Sequence, residues 1–244
     1  MNNSCYMSGT GNNFLISEFT SKPTELEIIS MVADSIFDTD GVIFIEKINN
    51  KTIKMHYFNN DGSSAELCVN GIRCSAKYSI DNKIVNSTNI KVLAPIGEID
   101  TVVQENEVLI KIKFPTYKKS KIIVDNYECV EANIGNSHLL TEVSNIEDFN
   151  LDDFARKVNK SNKLDCESNI EIYKITDKKF ISARVHERGV GETDACGSGA
   201  VCLFYYLYDT NQVNNISIVL YPGGALEMSI VDEMIHLKGE VTYL

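Results

Sequence analysis

The chain is short of positive charge, of histidine and of long apolar runs, and each shortage removes a class of function. Lys and Arg number 23 against 34 Asp and Glu, a formal net charge of −11. Such an acidic chain is poorly suited to a phosphate backbone, so no nucleic-acid partner is expected. The 4 His stand apart at positions 56, 138, 186 and 236. That scatter argues against a histidine-built metal cage, and no metal is expected. No apolar stretch approaches the roughly 20 residues of a membrane span, so no membrane association is expected. The opening MNNSCYMSGTGNNFLI has neither a basic start nor a long apolar segment; no signal peptide is expected, and a cytoplasmic location is. What is present is a globular composition, 43% hydrophobic and 23% charged, in 244 residues. That length fits one large domain or two lobes of about 120 residues, and the class left standing is an enzyme or a binding protein.

Seven cysteines occur, at 5, 68, 74, 129, 166, 196 and 202. An odd number without an export signal argues against a disulfide framework. Cys5, Cys129 and Cys166 read as small buried apolar side chains. The other four form a pattern. Cys68-Val69-Asn70-Gly71-Ile72-Arg73-Cys74 and Cys196-Gly197-Ser198-Gly199-Ala200-Val201-Cys202 share the form C-x-[NS]-G-x-x-C, 128 residues apart in a chain whose half-length is 122. Gly11-Asn12-Asn13-Phe14 matches Gly135-Asn136-Ser137-His138 at an offset of 124, and each follows a segment that reads as a short strand. Residues 54–59 and 182–187 alternate in the same way and set Asn59 opposite Glu187; residues 41–45 match 169–173. Duplication explains the set: two lobes, 1–118 carrying Cys68 and 119–244 carrying Cys196. A pseudo-twofold axis between them would bring the two cysteines face to face.

Most of the chain reads as strand: 41–47, 53–58, 90–94, 99–104, 107–114, 121–124, 169–175, 180–186, 216–221, 225–231 and 233–238. Helical spacing covers 24–35, 70–80, 151–158 and 198–208. Each lobe is thus several strands around one long helix, an α/β (α+β) chain.

Cys68 and Cys196 each precede such a helix. A helix N-terminus presents free N–H groups and partial positive charge, which seats a carboxylate and favours a thiolate, lowering the thiol pKa toward neutrality. Zinc held by two C-x5-C pairs is the competing reading. Structural zinc prefers closer spacing, and residues six apart on a helix lie about 240° apart, so Cys74 and Cys202 read as core-facing. Two thiols at the starts of two matched helices suit inversion at an amino-acid α-carbon. One face must lose a proton while the other gains one, which needs a base and an acid that exchange roles.

Asp61-Gly62-Ser63-Ser64-Ala65-Glu66-Leu67-Cys68-Val69-Asn70-Gly71-Ile72-Arg73-Cys74 resembles the first signature of the diaminopimelate epimerases. Glu187-Arg188-Gly189-Val190-Gly191-Glu192-Thr193-Asp194-Ala195-Cys196-Gly197-Ser198-Gly199-Ala200 resembles the second. The resemblance runs from Gly11-Asn12 to the Tyr221-Pro222-Gly223-Gly224 turn and the closing strand. It implies two pseudo-symmetric lobes, each a barrel-like, mostly antiparallel sheet around a central helix. It implies a cofactor-independent two-base reaction between LL- and meso-diaminopimelate on the route to lysine and cell-wall peptide, in a homodimer. By residue match, Cys68 and Cys196 are the acid/base thiols. Asn70, the amide of Val69, Gly197 and Ser198 seat the reacting carboxylate, and Asn59 and Glu187 hold the α-amine. Asn12, Asn136, Asn169 and Arg188 also lie on the substrate, several of them at its far end. Val69 stands where the family has Gly, which adds bulk beside the carboxylate seat and disfavours a positive φ there.

Two alternatives fit the same residues. A related racemase of another amino acid, such as histidine, would use the thiols alike, although a monocarboxylate gives Arg188, Asn136 and Asn169 nothing to clamp. A non-catalytic amino-acid-binding or redox-sensing protein would bind without exchanging the α-proton.

Overall fold

The computed structural model describes residues 4–64, 68–164 and 166–244. Ala65, Glu66 and Leu67 of the first signature, and the first three residues, lie outside the described residues. The chain divides into two compact units, Met1–Ile112 with Lys238–Leu244, and Lys113–Leu237.

The first unit holds β1 (Cys5–Gly9), β2 (Asn12–Glu18), α1 (Glu25–Ala33), β3 (Gly41–Asn49), β4 (Thr52–Asn59), α2 (Val69–Asp81), β5 (Asn89–Ala94), β6 (Gly97–Gln104) and β7 (Glu107–Ile112). Strands β1 and β2 form an antiparallel hairpin, closed where Thr10 and Gly11 take positive φ. α1 crosses over to β3, parallel to β2. β3 and β4 are antiparallel, α2 crosses to β5, parallel to β4, and β5, β6 and β7 meander. The second unit follows with β8 (Thr116–Tyr117), β9 (Ile122–Val124), β10 (Tyr127–Asn133), β11 (Ser137–Glu142), α3 (Leu151–Lys160), β12 (Asn169–Ile175), β13 (Phe180–Glu187), β14 (Gly191–Thr193), α4 (Gly197–Asp209), β15 (Ile216–Tyr221) and β16 (Gly224–Val231). Its pairings repeat the order: β10 and β11 antiparallel, β12 parallel to β11 after α3, β13 antiparallel to β12, β15 parallel to β13 after α4, and β16 antiparallel to β15. β17 (Met234–Glu240) and β18 (Thr242–Tyr243) close the chain, and β18 pairs with β1 of the first unit.

The registers repeat as well. Phe14 lies opposite Gly41 and Ile43 opposite Tyr57 in the first unit; His138 lies opposite Asn169 and Glu171 opposite Val185 in the second. The chain is therefore an α/β protein of two lobes with one topology.

The four helices differ in kind. α1 and α3 are surface helices. A reciprocal Thr24–Glu27 capping box starts α1. The Asn150 side chain caps α3, which has acidic residues in its first turn and Lys157 and Lys160 in its last, the order the helix dipole favours. Phe154 and Val158 of α3 pack with Leu139, Ile170 and Ile172. α2 and α4 are buried on nearly every side. A helix buried on nearly every side needs a sheet wrapped about it, and α2 packs against each of β1 to β7.

Cys74 and Cys202 are fully buried on these central helices, as their position predicts, and Cys129 is buried too. Two readings need correction. Cys166 is exposed, because it sits in the loop before β12, with Sγ 3.1 Å from Ser137 Oγ. Cys5 is half-buried, because it precedes the part of β1 that β18 covers. Among the described residues, no helix is long and apolar enough to cross a membrane.

Candidate active site

In the first unit, the site residues converge on the start of α2. Cys68 is the N-cap, in extended backbone, and its Sγ accepts from the Gly71 N–H at 3.2 Å. The cap forms because a side-chain acceptor satisfies one of the orphan N–H groups of the first turn. Val69 and Asn70 open the helix and are both buried. Val69 is not among the residues with positive φ, so the backbone here does not demand glycine. Asn70 accepts from Arg73 at 2.7 Å and donates to Asn12 Oδ1 at 2.5 Å. Asn12 in turn faces Asp40 at 3.5 Å. Asn59 ends β4 opposite Gly41, where the Cβ of any larger residue would lie 2.7 Å from the Tyr57 ring. Its amide donates to Ser63 Oγ at 2.9 Å.

In the second unit, Cys196 caps α4 in the same way. Its Sγ accepts from the Gly199 N–H at 3.4 Å and lies 3.4 Å from Ser198 Oγ. Asn136 donates to Ser198 at 3.2 Å. Glu187 ends β13 and accepts from the Thr193 hydroxyl at 2.6 Å. Gly189 and Gly191 take positive φ in the turn that follows. Arg188, in that turn, is exposed, and its backbone N–H donates to Asn169 Oδ1 at 2.9 Å. Gly197 and Ser198 are buried in the first turn of α4. Hydrogen bonds thus bring Asn12 to Asn70 at the start of α2, and Asn136 to Ser198 beside Cys196 at the start of α4; Asn59 is held by Ser63, and the Arg188 N–H by Asn169.

The electrostatics of Cys196 reverse the expectation of a lowered thiol. Its pKa is held well above the ordinary 9.0, first by burial, then by the carboxylates of Glu187 and Glu171; the Ser198 hydroxyl and the Gly199 N–H pull the other way and lose. A helix N-terminus favours a thiolate only where desolvation and neighbouring anions leave it room to do so.

Glu171 and His138 escaped the sequence reading. Both are fully buried, and His138 Nδ1 meets Glu171 Oε1 at 2.8 Å. Nε2 of His138 faces Asn136 Oδ1 at 3.0 Å. A polar chain thus runs Cys196, Ser198, Asn136, His138, Glu171. The clue was a carboxylate inside a buried strand, at the position the first half fills with Ile43. Ligand atoms of Cys196, His138 and Glu171 lie within 4.8 Å of one another. The imidazole and the carboxylate are bonded to each other, so the group is a hydrogen-bonded cluster rather than an open coordination shell.

Comparison with known proteins agrees. The family model for diaminopimelate epimerase matches residues 4–117 and 130–244. A diaminopimelate epimerase of Thermotoga maritima is 32% identical over 97% of both chains. One of Methanococcus maripaludis is 29% identical over 97% of this chain and 95% of its own. Among solved structures, a phenazine biosynthesis PhzF family protein of Enterococcus faecalis superposes with TM-score 0.74 at 12% identity, covering 99% of this chain and 96% of its own. A probable proline racemase of Agrobacterium radiobacter gives 0.74 at 9%, covering 99% and 90%. These two show the fold alone. With a match across both lobes and nearly full-length relatives, the chain belongs to the diaminopimelate epimerase family.

Proposed function

We propose that this protein is a diaminopimelate epimerase, interconverting LL- and meso-2,6-diaminopimelate by two-base proton transfer at the α-carbon, with no organic cofactor. The observation that carries the reading is the repeated thiol cap: each half sets a cysteine at the N-cap of a buried helix, with an amide or hydroxyl side chain two residues on. One thiolate removes the α-proton, the other thiol protonates the opposite face, and the two have then exchanged states. Asn70, Ser198 and the N–H groups of Val69 and Gly197 seat the carboxylate, where helix N-termini stabilise the charge that builds in the enolate-like transition state. Asn59 and Glu187 hold the ammonium. Asn12, Asn136, Asn169 and Arg188 take the rest of the substrate, Arg188 offering a bidentate fork to the distal carboxylate. The division into lobes 1–118 and 119–244, one catalytic thiol in each, belongs to this proposal. So do the cytoplasmic location, the homodimer and the place on the route to lysine and cell-wall peptide; a monomer in analytical ultracentrifugation would remove the dimer.

The test is α-deuterium incorporation from heavy water across diaminopimelate and a panel of monocarboxylate amino acids including histidine. Exchange with diaminopimelate, together with LL-to-meso inversion lost by about 10²–10⁴-fold in Cys68→Ala and in Cys196→Ala with the fold intact, supports the proposal. Exchange with another amino acid while diaminopimelate is inert overturns the substrate. Either alanine variant retaining near wild-type turnover overturns the two-base assignment, and ligand binding without exchange would make this a binding protein.

A further inference from the structure

Arg73 and Asp40 stand at the two ends of one chain of side-chain hydrogen bonds, and the proposed reaction assigns a role to neither. Arg73 Nη2 donates to Asn70 Oδ1 at 2.7 Å, Asn70 Nδ2 donates to Asn12 Oδ1 at 2.5 Å, and Asn12 Nδ2 donates to Asp40 Oδ2 at 3.5 Å. The two amides between the ends, Asn70 and Asn12, are both proposed to meet the substrate.

An amide does not choose its own sense. Its oxygen accepts, its nitrogen donates, and a half-turn of the group exchanges the two at little steric cost. The partners decide. A guanidinium carries only donors, so Asn70 must turn its oxygen to Arg73. The Asn70 nitrogen then faces Asn12, which must answer with its oxygen. A carboxylate only accepts, so the Asn12 nitrogen must face Asp40. Both ends dictate the same sense. Each amide commits one N–H to the chain and keeps a second.

Both ends are themselves held. Arg73 is fully buried on α2. Its guanidinium also donates to Thr10 Oγ1 at 2.8 Å and to the Glu240 carbonyl at 3.0 Å. Thr10 lies two residues before Asn12, in the hairpin turn, at a φ of 57°. The same guanidinium therefore ties down the turn that carries Asn12. Asp40 Oδ2 accepts the Asn13 N–H at 2.7 Å, and the Asp40 N–H donates to the Asn13 carbonyl at 2.9 Å. Asp40 is thus fixed against the start of β2.

The second half folds the same way without either end. At the offset of 128, Val201 stands in place of Arg73 and Ser168 in place of Asp40. A buried guanidinium whose Nε has no partner is costly where valine fits the same helix position. Asn136, the counterpart of Asn12, turns its oxygen to His138 Nε2 at 3.0 Å and donates to Ser198 at 3.2 Å. Other partners set its sense there.

We propose that Arg73 and Asp40 are positioning residues: from opposite ends they fix the sense of the Asn70 and Asn12 amides, so that each offers a remaining N–H, and not an oxygen, to a carboxylate of the substrate. This rests on the proposed amino-acid substrate and deepens it. An amide turned the other way would set its oxygen against the carboxylate, and the two negative ends would repel.

The first test needs no substrate. Exchange of the side-chain amide protons with water is followed by NMR on protein carrying isotope-labelled asparagine. Asp40→Ala is expected to speed exchange at Asn70 as well as at Asn12, although Asn70 lies one amide further along the chain. A folded Asp40→Ala with unchanged exchange at Asn70 overturns the proposal. The second test is the KM for whichever amino acid exchanges its α-proton. Asp40→Ala and Arg73→Met are each expected to raise it about 2–12-fold, the range of one hydrogen bond. The double variant is expected to stay within about twofold of the worse single one, because releasing either end frees both amides; effects that multiply would make the two roles independent and overturn the proposal. Asp40→Asn keeps an acceptor, its oxygen held in place by the Asn13 N–H, and is expected to recover most of the KM; a KM as high as in Asp40→Ala overturns the proposal. Should Arg73→Met fail to fold, the two Asp40 variants decide alone. Inertness of diaminopimelate while another amino acid exchanges would defeat the proposed substrate and leave the amide exchange as it is, so the two failures are told apart.

Discussion

Alanine at Gly199 and alanine at Gly71 are the same change at the same place in the two halves, yet the structure gives them different outcomes. An alanine in a helix gains about 1 kcal/mol over glycine, and both positions lie in the first turn of a central helix. At Gly71 the new methyl would meet Ile43 Cδ1 at 2.9 Å, Cys68 Sγ at 3.1 Å and Met55 Cε at 3.2 Å. Those are ends of flexible side chains, which move a few tenths of an ångström cheaply, so the net change is expected within about 1 kcal/mol. At Gly199 the methyl would land on the Glu171 carboxylate, 2.7 Å from its Cδ and 3.0 Å from its Cγ. Glu171 is fully buried and bonded to His138, so it can retreat only by breaking that bond. Overpacking costs about 1–3 kcal/mol and a lost buried hydrogen bond about 1–3. With partial relaxation and the helix gain subtracted, the net loss is about 2–4 kcal/mol. At about 2–4 °C per kcal/mol for a chain of this size, Gly199→Ala is expected to lower Tm by roughly 4–16 °C. Circular dichroism melts of the two variants decide it. Equal melting temperatures, or a larger fall in Gly71→Ala, would refute the placement of Glu171 beneath α4.

Three further outcomes follow from single observations. Cys74 is buried with its pKa raised from 9.0 to about 12, so the folded state keeps its proton more tightly than the unfolded one. Its contribution is complete below about pH 9 and falls by about 1.4 kcal/mol per pH unit as pH rises toward 12; Cys74→Ala should flatten the alkaline fall of the urea midpoint, and an unchanged slope counts against it. Thr24→Ala removes the hydroxyl side of the α1 capping box and leaves the backbone N–H of residue 24 on Glu27; it should cost about 0.5–2 kcal/mol in urea unfolding without touching kcat, and a cost of zero would mean that the hydroxyl cap is idle. Arg188 is exposed, so Arg188→Met should raise KM for diaminopimelate far more than it destabilises the fold. Arg188→Lys should rescue little, since a lone ammonium cannot clamp a carboxylate bidentately; full rescue by lysine would contradict a bidentate role.

Much of the fold was legible in the residues. The strands at 169–175 and 216–221 match to the residue, and the two central helices extend one residue beyond the expected bounds at each end. Long β-branched runs and helical spacing leave little ambiguity there. The opening strands of each half were harder, because Cys5–Gly9 and Asn12–Glu18 mix Ser, Asn and Cys with few apolar residues. Their pairing comes from tertiary context: β1 is held on one side by β2 and on the other by β18 from the far end of the chain. The thiol caps were readable because a helix start has a local signature. The state of Cys196 was not, because it is set first by burial and then by Glu187 and Glu171, which are 9 and 25 residues away in sequence.

The two halves share an order of elements but differ in the side chains that surround their central helices. Both halves carry a glycine in the first helical turn, Gly71 and Gly199; an added methyl would meet flexible side-chain ends at the first and the Glu171 carboxylate at the second. Around them the positions differ: Ile43 corresponds to Glu171, Phe14 to His138, Asn59 to Glu187, Asn70 to Ser198 and Val69 to Gly197. A reaction that inverts an α-carbon meets a substrate whose hydrogen, ammonium and carboxylate are different groups. Identical thiols could share a single proton, but nothing would then fix which of the two carries it. The two halves supply caps of one geometry; in the second, burial and then Glu187 and Glu171, which stand where the first half has Asn59 and Ile43, favour the proton on Cys196, and the proposed exchange needs one thiol to hold a proton while the other lacks one.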